Sequence, residues 1–348
     1  MSERPALLLL GLGTPEAPRA REVRRYLAEF LDDPRVIDLP AWRRRLLLNT
    51  IILPFRPRRS AAAYRAIWTE EGSPLLLHGL ALRDRLREAL GERVAVELAM
   101  RYGKPAIAEV LDRLQAEGSD RVVAFPLFAH TASSSWGSAL EHLYACAGRL
   151  PCPPQLEVVA PYYAHPAYIG ALAAVAGPVL ERAQPDKLLM SFHGVPERHV
   201  RFTDRSGAHC LRREDCCVAP GPALRHCYRA QCFATARALA AALGLEPGGY
   251  EVAFQSRLGR ARWIGPATDA RLRALPGEGV RRLAVVEPSF TADCLETLEE
   301  IGLRGREDFL AGGGEELTLV PCLNSDPAWV RAVLAIAAET GALRGLLP

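Results

Sequence analysis

Eight short apolar segments, most followed by a longer amphipathic stretch, constrain this 348-residue chain more than any other feature. They are Ala6–Leu10, Val94–Met100, Val122–Leu127, Leu156–Ala160, Lys187–Phe192, Tyr250–Phe254, Leu283–Glu287 and Glu316–Val320. Runs that are apolar throughout suit strands buried on both faces. Strands that alternate with helices imply parallel sheets with helices on each side. Leu80–Leu90, Ile107–Glu117 and Thr235–Leu243 are such helical stretches.

The pattern occurs twice. The first strand ends in GLGTP (Gly11 to Pro15) and the fifth in HGVP (His193 to Pro196). Later in each half a strand runs into a proline and then a helix, as VVAFPLF…GSALEHL and as LAVVEPSF…DCLETLEE. Two α/β lobes, each with a four-stranded parallel sheet, account for this. The boundary falls near Pro161–Pro166, giving lobes 1–162 and 163–348, with a final helix over about 327–342 that could pack on either. In such sheets ligands sit beyond the carboxyl ends of the strands.

Composition narrows the function classes. Hydrophobic residues make up 49% and charged residues 24%, as in a globular protein. A formal charge of 43 − 40 = +3 does not suggest nucleic acid. The apolar run at the start is short and enters a glycine-rich turn without a cleavage site, so no secretory signal is expected. No window approaches the ~18 apolar residues that span a bilayer. The expectation is a cytoplasmic protein without structural disulfides.

Three constellations could carry chemistry. His193 directly follows the strand KLLMSF, which aims its imidazole out of the strand's carboxyl end; the plainer reading is a structural histidine in a turn. Glu296 and Glu300 lie four apart on one helix face, with Asp293 before them as a plausible N-cap. Paired acids are usually a solvated face, but near a cleft one pKa rises and the pair can pass protons or hand over a cation. The apolar run Leu46–Phe55 is flanked by Arg43–Arg45 and by Arg56, Arg58 and Arg59. It suits a lip, about 41–60, resting on an anionic surface, or equally a buried helix end with solvated arginines. Gly11 and Gly13 match only part of a dinucleotide fingerprint, and that signal is set aside.

Five of nine cysteines crowd into a polar insert over about 204–232: Cys210, Cys216, Cys217, Cys227 and Cys232. A segment too polar to build a core can be ordered by a metal centre. Zinc sites favour paired short spacings, absent here, so four of the five thiols point to a 2Fe-2S cluster ahead of zinc, with unligated, inert thiols as the plainer reading. Adjacent Cys216 and Cys217 would point opposite ways in extended chain, leaving one of them spare. Cys146, Cys152, Cys294 and Cys322 read as buried packing residues.

LGTPEAP, VRRYLAEFLDDPRVIDLP, AAAYRAIWTEEGSPL, MRYGKPAI, SFHGVPERHV, FQSRLGRARW and FTADCLETLEEI, in that order, together resemble ferrochelatase, and the likeness runs from about Leu7 to Asn324. The resemblance implies a lyase of haem biosynthesis with two Rossmann-like lobes of class II chelatase type, holding protoporphyrin IX between them and inserting Fe2+. His193 matches the family's active-site histidine, Glu296 its acidic partner, and Glu300 a further acid. Arg56, Tyr64, Ser73 and Leu12 match porphyrin contacts, with His193 and Glu296 meeting the iron. The lip matches the mouth of the porphyrin site, which many members appose to membrane.

Relatives whose cluster uses a cysteine-rich tail differ, since this tail ends GALRGLLP and Ser133 stands where they place an internal ligand. The cluster implied is therefore the internal bacterial type, and Cys232, matched in some relatives without a cluster, is its least secure ligand. Gly11 replaces a frequent asparagine. Coproporphyrin or sirohydrochlorin chelation is one alternative, though apolar Leu12, where coproporphyrin enzymes often carry tyrosine, argues for protoporphyrin. A non-enzymatic porphyrin or haem carrier and an iron–sulfur redox sensor are others.

Overall fold

The computed structural model describes residues 4–219, 221, 223–257, 259 and 261–345. Leu258 and Arg260 of the FQSRLGRARW motif, and the last three residues of GALRGLLP, lie outside the described residues. Two compact units emerge: 1–128 with 133–160 and 333–348, and 129–132 with 161–332.

In the first unit, β1 (Ala6–Gly13), β2 (Ala95–Tyr102), β3 (Arg121–Pro126) and β4 (Gln155–Val158) form one parallel sheet in the order β2-β1-β3-β4. Its helices are α1 (Ala20–Leu31), α2 (Ala41–Leu47), α3 (Leu53–Ile67), α4 (Pro74–Leu90), α5 (Ile107–Ala116) and α6 (Ser138–Ala147). β1 is central and covered on both faces, which is why Leu7 to Leu10 can all be leucine and all fully buried. Leu8 and Leu10 pack with Val110, Leu111 and Leu114 of α5 and Leu143 of α6. Each such leucine contributes about 1.5–3 kcal/mol. Gly13 closes β1 at φ 119°, where a Cβ would lie 1.9 Å from the Tyr102 carbonyl oxygen, so only glycine fits beside β2.

The second unit repeats the arrangement. β5 (Lys187–His193), β6 (Tyr250–Gln255), β7 (Arg282–Val286) and β8 (Glu316–Leu319) form a parallel sheet in the order β6-β5-β7-β8. α7 (Pro166–Ala183), α8 (Glu197–Thr203), α9 (Tyr228–Ala242), α10 (Thr268–Ala274) and α11 (Arg306–Ala311) accompany it. Leu189, Leu283 and Val285 pack with Leu272, Ile301 and Phe309. α12 (Pro327–Ala337) begins in this unit and ends in the first.

All eight strands form where the apolar runs predict, with ends shifted by a few residues. Among the described residues three segments are π-helical: Leu48–Ile52, Ser133–Gly137 and, the longest, Glu296–Gly305. Their i→i+5 bonding is uncommon and concentrates at functional sites.

Candidate active site

His193 ends β5, opposite Gln255 of β6 in the parallel register. Its backbone is held at both polar atoms. The N–H donates to Ser289 Oγ at 2.9 Å, and the carbonyl accepts from the Tyr228 hydroxyl at 2.7 Å. The next amide, Gly194 N–H, donates to the Gln255 carbonyl at 2.8 Å. A Cβ on Gly194 would lie 2.8 Å from that same oxygen, so the turn after His193 needs glycine for closeness of approach. Nδ1 of the imidazole is 2.6 Å from the Gly194 carbonyl oxygen. A carbonyl can only accept, so Nδ1 carries a proton and donates it there, which leaves Nε2 as the ring nitrogen open to another partner. Phe290 packs at 6.1 Å between ring centroids.

The acids are positioned from the neighbouring strands. Gln255 Nε2 donates to the Glu296 backbone carbonyl at 3.0 Å, while its amide oxygen accepts from Ser191. Both Glu300 oxygens are held by one residue, Ser256, through its N–H at 2.8 Å and its hydroxyl at 2.7 Å. Ser256 pays for this grip with a left-handed φ of 66°, which a non-glycine residue adopts only when its surroundings enforce it. Burial raises the Glu300 pKa above the ordinary carboxylate range. The Ser256 hydroxyl opposes the shift, the Glu296 carboxylate adds to it, and the His193 charge opposes it. His193, Glu296 and Glu300 thus share one electrostatic neighbourhood.

Sequence reasoning missed Glu287, which follows β7 and is 3% exposed. Neither of its carboxyl oxygens makes a hydrogen bond of normal geometry. Burial drives its pKa far up. The Gln255 side chain opposes this, and the charges of Asp293, Glu300 and Glu296 reinforce it. Such surroundings favour the neutral form of the acid. Its sequence signal was an acid closing the otherwise apolar strand LAVVE.

Asp293 is not the helix N-cap. The helix begins one residue later than a cap at Asp293 requires, and the carboxylate instead accepts from Asn324 Nδ2 at 2.7 Å and from the Cys322 N–H at 3.2 Å.

The cysteine insert is more compact than an extended chain allows. Cys216 and Cys217 do not diverge; their sulfurs are 4.0 Å apart, because the segment is a series of turns. Cys227 touches both Cys210 and Cys217. Arg229 Nη1 reaches Cys217 Sγ at 3.0 Å. Cys232 points elsewhere, with its thiol against the Tyr228 side chain. The contacts are pairwise, and among the described residues no three Cys, His, Asp or Glu side chains meet at one metal-sized centre. Of the scattered cysteines, Cys146, Cys294 and Cys322 are buried as expected, whereas Cys152 is exposed.

The porphyrin-contact candidates Leu12, Arg56, Tyr64 and Ser73 belong to the first unit. Leu12 and Arg56 are half-buried. Tyr64 is buried with its ring edge-on to Trp68, and Ser73 Oγ lies 2.8 Å from Thr14 Oγ1. The lip resolves into α2, a π-helical turn Leu48–Ile52 and the start of α3. Trp42, Leu46, Ile51 and Phe55 are exposed, Phe55 by 75%. Arg44 leaves the basic flank and turns inward to Asp32 at 3.0 Å. Among the described residues no helix is long and apolar enough to cross a membrane.

Comparison with known proteins follows the same lines. The ferrochelatase family model matches residues 4–340. Ferrochelatase of Azotobacter vinelandii is 50% identical over 340 residues, covering 97% of this chain and 99% of that protein. Ferrochelatase of Pseudomonas entomophila is 49% identical over 332 residues, covering 94% and 97%. Among solved structures, the cobalt complex of the sirohydrochlorin chelatase SirB from Bacillus subtilis subspecies spizizenii superposes with a TM-score of 0.51. The two are 12% identical, and the match covers 98% of this chain and 97% of SirB, a likeness of fold.

Proposed function

The chain belongs to the ferrochelatase family, and we propose that it inserts Fe2+ into protoporphyrin IX, with His193, Glu296 and Glu300 carrying the chemistry. Metallation exchanges two pyrrole N–H protons for one Fe2+, so the site must accept two protons while admitting a dication. The observation that carries this reading is the His193 tautomer. With Nδ1–H committed to the Gly194 carbonyl, Nε2 is the basic nitrogen that faces a pyrrole proton or the arriving iron. Glu300, its pKa raised by burial, accepts a proton more readily than an ordinary carboxylate, and Glu296 beside it draws the iron. A His with carboxylates suits Fe2+ as a transient ligand set. Leu12, Arg56, Tyr64 and Ser73 contact the porphyrin, Arg56 as a carboxylate partner.

The insert supports a 2Fe-2S cluster held by Cys210, Cys216, Cys217 and Cys227, with Cys232 spare. Four thiols in pairwise contact fit two irons better than a single zinc. Arg229 offsets the negative charge that thiolates bring. Bound there, the cluster would order the insert. The exposed apolar residues of the lip, with Arg43, Arg45, Arg58 and Arg59 around them, support peripheral contact with an anionic membrane.

The decisive test is His193→Ala. Turnover should fall by about a thousandfold or more while protoporphyrin binding persists; near-normal turnover removes His193 from the chemistry. The visible spectrum of freshly purified protein tests the insert. Charge-transfer bands lost in Cys227→Ser indicate the cluster, and a colourless, zinc-loaded protein contradicts it.

A further inference from the structure

We propose that Tyr228 is a positioning residue that transmits the order of the cysteine insert to His193. The proposal rests on the assignment of His193 as the base. Its carrier is a covalent adjacency. Cys227 is the last residue of the insert before α9 and stands at the N-cap position of that helix, and Tyr228 is its first residue. The Cys227 thiol faces the thiols of Cys210 and Cys217. The Tyr228 hydroxyl, one residue later, donates to the His193 carbonyl at 2.7 Å.

The phenol is built into its place. Tyr228 is 6% exposed, and its ring packs edge-on against His130 at 5.8 Å. His130 in turn packs edge-on to Phe192, the residue before His193, at 5.6 Å. Ser289 also reaches the Tyr228 hydroxyl, and Ser289 is the group that accepts the His193 N–H. The two hydroxyls therefore hold the peptide groups on both sides of His193, one from the turn after β7 and one from α9. Only the α9 half of this grip depends on the insert.

A displaced insert moves the N-terminus of α9, withdraws the phenol, and frees the carbonyl of His193. Freeing the His193 carbonyl loosens the turn that carries Gly194, and the Gly194 carbonyl is what fixes Nδ1, so the direction in which Nε2 points is no longer set. Sub-ångström misplacement of a reacting group is enough to slow a step by an order of magnitude or more.

Tyr228→Phe removes one hydroxyl and keeps the ring. It should lower kcat about tenfold with KM for protoporphyrin within twofold, and should shift the His193 ring nitrogens in the 15N spectrum of histidine-labelled protein. A packing role alone would leave both unchanged. Cys227→Ser should shift the same resonances in the wild-type background but add less than about twofold in kcat to Tyr228→Phe. Unaltered kcat and histidine resonances in Tyr228→Phe overturn the proposal. So does a Cys227→Ser effect of equal size in both backgrounds. His193→Ala separates the two readings: full activity there sinks the assignment of the base, whereas an inactive His193→Ala beside a fully active Tyr228→Phe sinks only the coupling.

Discussion

The two units have the same strand order, yet one buried acid in each, Asp33 and Glu287, is treated in opposite ways. In the first, Asp33 accepts hydrogen bonds from Arg101 Nη2 at 2.7 Å, Tyr102 Oη at 2.8 Å and Ser138 Oγ. Burial alone would raise its pKa, but the bonds from Ser138, the Arg35 amide and Tyr102, with the Arg101 charge, together hold it below the usual range. In the second, Glu287 is buried with no such partners, and its pKa rises far above the usual range. A fully satisfied acid ties elements together; an unsatisfied one is a standing cost to stability that a fold keeps where protons or cations are handled. The fold supplies the sheet ends, and the partners decide whether they become scaffold or site.

Breaking the satisfied network should cost most. Asp33→Ala leaves the Arg101 guanidinium, 14% exposed, without its partner, and should lower unfolding free energy by about 3–5 kcal/mol in denaturant melts. The Asp33 contribution is present above the unfolded pKa of about 3.9 and is lost as pH falls through the depressed folded value, so the gap between wild type and variant should close in acid.

Glu287→Gln should have the opposite sign. An unfolded glutamate loses its proton near pH ~4.3, while the folded Glu287 keeps it. Wild-type stability therefore falls as pH rises above that value, by up to about 1.4 kcal/mol per pH unit. The variant should melt above wild type at pH 7, with little difference at pH 4. A pH-independent gap would mean that Glu287 is charged or solvated in the native protein.

A smaller effect belongs to the lip. Phe55→Ser should weaken partitioning onto anionic phospholipid vesicles about fivefold, on the order of 1 kcal/mol, without changing turnover of protoporphyrin in detergent. Unchanged sedimentation with vesicles would remove the lip as a membrane contact.

Much of the scaffold is legible in the sequence because its signals are local. Continuous apolar runs marked the eight strands, and Gly13 and Gly194 sit at strand-end turns whose crowding only a glycine relieves. His193, Glu296 and Glu300 could be singled out because strand–turn chemistry and helical spacing are local too. The rest depends on tertiary placement. Nothing near Ser256 announces that a left-handed serine grips Glu300 from 44 residues away, or that Tyr228 reaches the His193 carbonyl. Cys216 and Cys217 were misjudged because alternation holds only for extended chain, and the insert turns instead. Glu287 looked like a strand end, since its missing partners can be seen only in three dimensions.

In the proposed reading, a partly buried, proton-accepting acid beside His193 takes part in metallation. The most direct measurement is the single-turnover rate of Glu300→Gln with protoporphyrin already bound and Fe2+ added by rapid mixing. The rate should be slower by about a hundredfold, with protoporphyrin affinity within twofold of wild type. A rate equal to wild type, or a loss matched by weaker porphyrin binding, would contradict it.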